Sequence, residues 1–190
     1  MRKIFLLLFA SLAIAAGAHA TPGQAPAVDI AAARASLNGS WEGTLEYLDY
    51  SANRWFGIPV KTQIEDQGDT ATTIRRSDFD DGPTNGNVRF TTVELYDAAA
   101  GSVTTGTFRK GRTVEIYTHK VRMEGEAKDA EQWTMVEEVL GNDDDRAALL
   151  RYTTTRDGDK IETIKMVDFQ DDTAEEWITR NRTRLARVGE

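Results

Sequence analysis

Residues 37–50 read LNGSWEGTLEYLDY. From Trp41 onward the side chains alternate. One face carries Trp41, Gly43, Leu45, Tyr47 and Asp49, and the other Glu42, Thr44, Glu46, Leu48 and Tyr50. The first set is apolar until its end and the second starts charged, which is the pattern of a half-buried β-strand. A glycine on the inward face predicts either a close neighbour or a bend where a sheet curls. Alternation alone suits a sandwich strand as well as a barrel strand, so the rest of the chain has to decide.

Beyond this stretch the texture stays β-branched and aromatic. Strands are predicted at 41–50, 57–65, 70–78, 88–97, 101–109, 112–123, 131–140, 146–156, 160–168 and 175–187. Glycine, aspartate and asparagine clusters separate them, with Lys110-Gly111 and Asp157-Gly158 reading as tight hairpins. Ten strands without intervening helices predict an all-β antiparallel meander. So high a strand content suits closure into a barrel, which removes exposed edges. The stretch DIAAARASL at 29–37 predicts one short helix with Asp29 as its N-cap.

Gly39-Ser40-Trp41, after a short helix and at the start of the first strand, resembles the Gly-x-Trp of lipocalins and their calycin relatives. GSWEGTLEYLDYS is also similar to the first strand of bacterial lipocalin-like proteins of unassigned function. The resemblance implies a single up-and-down barrel of about ten strands over residues 37–190. Trp41 would close its floor beneath an arginine of the last strand, and Arg180, Arg182 and Arg184 share one face there. Such a ring–guanidinium contact contributes roughly 0.5–2 kcal/mol. Some ten-stranded relatives bind haem through a histidine on a late strand. The four strands from 131 to 187 contain none, so no haem is expected by that route, and no cofactor is expected at all. The fallback architecture is a curved open sheet of the kind used by periplasmic lipid carriers.

Residues 1–20 read as a secretory signal: Arg2 and Lys3, an apolar run from Ile4 to Ala16, and Ala18-His19-Ala20 before a cut after Ala20. The run is too short to span a bilayer, and no second apolar segment of that kind follows. Residues 21–36 are expected to form a flexible leader and the short helix. The remaining 170 of 190 residues carry 21 basic against 31 acidic side chains, a net charge of −10. That balance argues against nucleic acid or anionic lipid as a partner. The chain has no cysteine, which excludes disulfides, thiolate metal sites and a cysteine nucleophile. A periplasmic or secreted location is expected.

His119 is the only histidine after the signal, and it shares strand parity with Glu115, Tyr117, Val121 and Met123. A Glu115–Tyr117–His119 face suggests proton transfer if it points inward and a solvated surface if it does not. One histidine removes most zinc sites and the common Ser-His-Asp arrangement. Glu137 shares a face with Trp133, Met135 and Val139; if buried, it needs a partner such as an arginine. The acidic stretch 78–87 allows a weak calcium site, and acidic hairpins of this kind are usually solvated. No catalytic constellation stands out, and a non-enzymatic protein is expected. The expected activity is binding of a small hydrophobic or amphipathic molecule inside the barrel, by Tyr47, Leu95, Tyr117, His119, Trp133, Met135 and Tyr152. The alternative is a barrel with a filled core that docks another protein of the cell envelope.

Overall fold

The computed structural model describes residues 28–171 and 173–189; the expected signal and most of the leader lie outside them. Helix α1 spans Ile30–Ala35, and the Asp29 carboxylate accepts a hydrogen bond from the Ala32 amide at 2.7 Å. Ten strands follow: β1 (Gly39–Asp49), β2 (Arg54–Asp66), β3 (Thr72–Asp80), β4 (Asn87–Asp97), β5 (Ser102–Arg109), β6 (Glu115–Met123), β7 (Gln132–Asp143), β8 (Arg146–Asp157), β9 (Lys160–Phe169) and β10 (Ile178–Arg187). A one-turn helix α2, Gly82–Asn85, lies between β3 and β4.

Every strand pairs antiparallel with its sequence neighbour, and β1 pairs with β10 from Trp41↔Arg187 to Tyr47↔Asn181. The barrel is closed, so the open-sheet alternative is set aside. Gly43 shows why closure is possible at this point. A Cβ there would lie 1.9 Å from the Arg184 carbonyl oxygen, so only glycine lets β1 approach β10 this closely. The Asp157–Gly158 hairpin joins β8 to β9 as expected, with Gly158 at φ 59°.

The wall is not uniform. β6 and β7 pair only from Lys120↔Glu138 to Met123↔Met135. Residues 115–119 and 139–143 therefore diverge, leaving a split in the upper wall. The Tyr117 ring lies in it: a Cβ on Gly141 would be 3.3 Å from Tyr117 Cε1.

The larger of two hydrophobic clusters among the described residues forms the barrel floor, and a smaller one, Ala148, Leu150 and Val167, packs apart from it on β8 and β9. In the floor, Leu37, Trp41, Ile64, Val103, Val121, Trp133, Met135, Ile161 and Leu185 pack against Ala33 of α1. The helix thus caps the barrel floor, and its alanines let it sit close. Trp41 is 1% exposed and donates its indole N–H to the Leu37 carbonyl at 2.8 Å. Trp133 and Met135, expected to touch a ligand, are part of this packed floor.

The arginine over Trp41 is Arg187, 4.3 Å from the ring centroid, with Arg156 of β8 at 5.8 Å. Arg180, Arg182 and Arg184 do not take that place. Inward positions on β10 are odd-numbered, because Trp41, Gly43 and Leu45 face Arg187, Leu185 and Thr183. Arg182 therefore turns outward, pairing with Glu46 and lying 4.0 Å over Trp55, and Arg184 pairs with Glu162. Arg180 sits in a bulge between Thr179 and Asn181 and reaches Asp143. Arg187 also donates to the Asn38 carbonyl at 2.8 Å and the Ser36 carbonyl at 3.1 Å, while Arg156 also donates to Ser36. Two cations thus satisfy carbonyls just past the C-terminus of α1, where the helix dipole favours positive charge.

Candidate functional site

Above the floor the barrel interior divides into a cavity and a charged cluster. The cavity has a volume of about 480 Å³ and is walled by the inward faces of β1–β5, continued past β1 by Thr183 and Leu185 of β10 and Thr163 of β9. This lies within the range of small-molecule sites. Leu45, Ile58, Val60, Phe79, Val88 and Phe90 supply its apolar surface. Tyr47 stacks on Phe56 at 5.5 Å between ring centroids, and Phe90 meets Phe79 edge-on with Arg109 5.0 Å above its ring. Hydroxyls are paired along the wall, Thr62 with Ser77 at 2.9 Å and Thr92 with Thr107 at 3.1 Å. Arg75 lines the cavity too, and connects it to the charged cluster.

That cluster begins with Arg34. The helix capping the floor sends this one long side chain up into the barrel, where it is 5% exposed. Its guanidinium donates to Glu94 at 2.6 Å and to Glu137 at 3.5 Å. Glu94 also accepts from Arg75 Nε at 3.1 Å. A carboxylate this buried would be costly alone. Burial raises its pKa, and the charges of Arg75 and Arg34 outweigh that, so Glu94 titrates below the usual carboxylate range. Glu137 goes the other way. Burial, reinforced by the Glu94 charge, pushes its pKa up to about 6 despite Arg34 and Arg75.

His119 completes the cluster. It is 6% exposed, with Nδ1 4.0 Å from Glu137 Oε2 and without a hydrogen-bond partner among the described residues. Its Nε2 lies 3.4 Å from the Thr105 hydroxyl. Burial lowers its pKa, and Arg34 adds to this against the opposing pull of Glu94, so the imidazole is neutral at neutral pH. Tyr117 and Tyr152 meet its ring edge-on at centroid distances of 6.3 Å and 5.7 Å. Burial, with Tyr117 adding to it, pushes the Tyr152 phenol up to about 12.

Of the residues expected to meet a ligand, Tyr47 lines the cavity. Tyr117, His119 and Tyr152 come together in the cluster beside it. Leu95 does not face inward: it is 52% exposed on the outer wall, and Glu94 takes the inward position. Glu115, joined with Tyr117 and His119 in the proton-transfer reading, is exposed. The expected arginine partner of Glu137 is present, from α1. Arg34, Arg75 and Glu94 were missed by sequence reasoning. The one available signal was a lone long cation in an alanine-rich capping helix, and it needed a buried acid to be meaningful.

Among the described residues, no group of three or more His, Cys, Asp or Glu is arranged to hold a metal ion. In the acidic stretch 78–87, Asp78 is engaged by Arg89 through two bonds of 2.7 Å. No helix among the described residues is long and apolar enough to cross a membrane.

No protein-family model matches the sequence, and no curated protein does. The crystal structure of Rv2717c from M. tuberculosis is similar to this chain, with a TM-score of 0.55 and 15% sequence identity over 85% of this chain and 99% of that one. The likeness is one of fold. A protein of unknown function from the DUF3598 family of Nostoc punctiforme PCC 73102 aligns over 85% of this chain and 100% of its own, at 11% identity and a TM-score of 0.24. That likeness is too weak to support an argument.

Proposed function

We propose that this chain is a lipocalin-like, non-enzymatic carrier that acts in the periplasm or after secretion. It holds one small amphipathic molecule inside the barrel. The observation behind this reading is the cavity of about 480 Å³, apolar along Leu45, Ile58, Val88 and Phe90 and bordered by two cations, Arg109 over Phe90 and Arg75, which belongs to the buried charged network. A barrel interior of this kind suits one small ligand. Native mass spectrometry of protein purified from its source organism tests it. The expected result is a stoichiometric adduct lost on denaturation. A bare mass that persists after soaking with medium-chain fatty acids and alcohols would overturn it.

A second reading, docking to another protein, draws on the outer wall. Val93, Leu95, Phe108 and Ile116 are 38%, 52%, 48% and 69% exposed there, and Val93, Gly106 and Ile116 sit side by side across β4, β5 and β6. Apolar groups gathered on one face favour a contact surface. A bare mass together with retention on a partner through this face would favour that reading instead.

A further inference from the structure

The carrier reading leaves open what kind of head group the cavity takes. Arg75 engages Glu94 through Nε alone. Its terminal N–H groups have no partner among the described residues, and its side chain keeps 31% of its exposure while lining the cavity. Beside it in register stands Thr92, bonded to Thr107, and two positions along β3 stands Ser77, bonded to Thr62. These hydroxyls can rotate to donate towards an anion. A guanidinium held at Nε with its fork open is suited to a planar anionic head, such as a carboxylate.

Charge balance sets a condition on such binding. The cluster holds two cations, Arg34 and Arg75, and two carboxyls, Glu94 and Glu137. A third negative group would leave the buried charges unbalanced unless one carboxyl is protonated. Glu94 has both arginines as partners and stays ionised. Glu137 has only the longer 3.5 Å contact to Arg34, and its pKa is already pushed up to about 6. The groups facing Glu137 are Arg34 from α1, Arg75 from β3, Glu94 from β4, His119 from β6 and Tyr152 from β8. His119 is the one other group there that could take a proton near neutrality. Protonating it would place a further cation near Arg34, which already lowers its pKa.

We propose that the cavity selects ligands with an anionic head, held by the terminal N–H groups of Arg75, and that Glu137 takes up a proton as the anion enters. This rests on the carrier reading and names its ligand class and its regulation. Proton uptake on binding makes affinity fall as pH rises, by at most tenfold per pH unit for one proton.

The test compares decanoate with decanol, which share a tail and differ in the head, by isothermal titration on the full protein. At about pH 7.5, decanoate is expected to bind about tenfold or more tighter than decanol. Arg75→Met brings the two to within about twofold, with decanol affinity serving as the check that the variant is folded. Repeating the decanoate titration in two buffers of different ionisation enthalpy, between about pH 6.5 and 8.5 where the decanoate head stays ionised, reads the proton directly. Uptake is expected in the wild type and in His119→Gln, and not in Glu137→Gln. Equal affinity for acid and alcohol would overturn the head-group assignment while leaving the carrier reading intact. Uptake that survives in Glu137→Gln and vanishes in His119→Gln would overturn the role of Glu137. Failure of both probes to bind would overturn this inference, and together with a bare native mass it would remove the carrier reading as well.

Discussion

Glu137 and His119 lie 4.0 Å apart and respond to acid in opposite senses. The folded pKa of Glu137, about 6, is above its ordinary 4.5. Its contribution to stability is therefore fully present below about 4.5 and is lost as pH rises through about 6. A shift of this size corresponds to about 2 kcal/mol. The folded pKa of His119 is below its ordinary 6.5, so its contribution is present above that value and is lost as pH falls. In the wild type the two effects partly cancel between about pH 4.5 and 6.5. Urea unfolding across that range should show Glu137→Gln losing stability on acidification faster than the wild type, by about 2 kcal/mol in total. His119→Gln should lose less than the wild type. Identical pH profiles for all three proteins would show that neither group is held as described. The sequence singled out Glu137 and His119 but could not bring them together, and Glu94 shows why. In VEL, the two apolar neighbours Val93 and Leu95 predict an inward face of their own, yet the structure turns Glu94 in and leaves them outside. What reverses the pattern is a pair of arginines, one from α1 and one from β3, distant in sequence and adjacent only once the barrel has closed.

At the level of elements, closure depends on β1 meeting β10. Gly43→Ala would place a methyl group 1.9 Å from the Arg184 carbonyl oxygen, a backbone atom that moves only if the strand pair opens. The expected cost is at least about 2–3 kcal/mol, measured by chemical denaturation; a cost below about 0.5 kcal/mol would mean that the strands do not approach so closely. Arg187→Met keeps most of the aliphatic volume and removes the contact with Trp41 and the bonds to Ser36 and Asn38. It should destabilise by about 1–3 kcal/mol, whereas Arg184→Met, on the outer wall, should change stability by less than about 1 kcal/mol. The inward glycine was legible in GSWEG, because period-two alternation fixes which side chains share a face, and the tryptophan floor was what the likeness of Gly39-Ser40-Trp41 to the lipocalin Gly-x-Trp implied. The identity of the closing arginine was not. Arg180, Arg182, Arg184 and Arg187 all lie on one arginine-rich strand, and only its register against Trp41 selects the last.

Across the whole molecule, ten alternating segments with turn signals between them were enough to read an antiparallel meander; closure was favoured because it removes exposed edges and was implied by the family resemblance, with an open sheet as the alternative. Whether the interior is filled or hollow was not readable. Inward apolar residues serve either purpose, and the answer depends on residual volume after α1, Trp133 and Met135 have occupied the floor. The remaining volume of about 480 Å³ gives a stability prediction of its own. A ligand that binds only the folded barrel stabilises it by RT ln(1 + [L]/Kd), about 2.7 kcal/mol at one hundred times Kd. Decanoate at that excess should raise the thermal midpoint of the wild type by about 5–11 °C, at about 2–4 °C per kcal/mol for a domain of this size. Thr183 and Thr163 stand side by side on β10 and β9, on the cavity wall beyond β1 from Arg75. Thr183→Phe should fill that side of the cavity without touching the charged cluster. The variant is expected to keep its circular dichroism spectrum and to lose the decanoate-dependent shift. If it kept the full shift, the stabilising ligand would be bound somewhere other than inside the barrel.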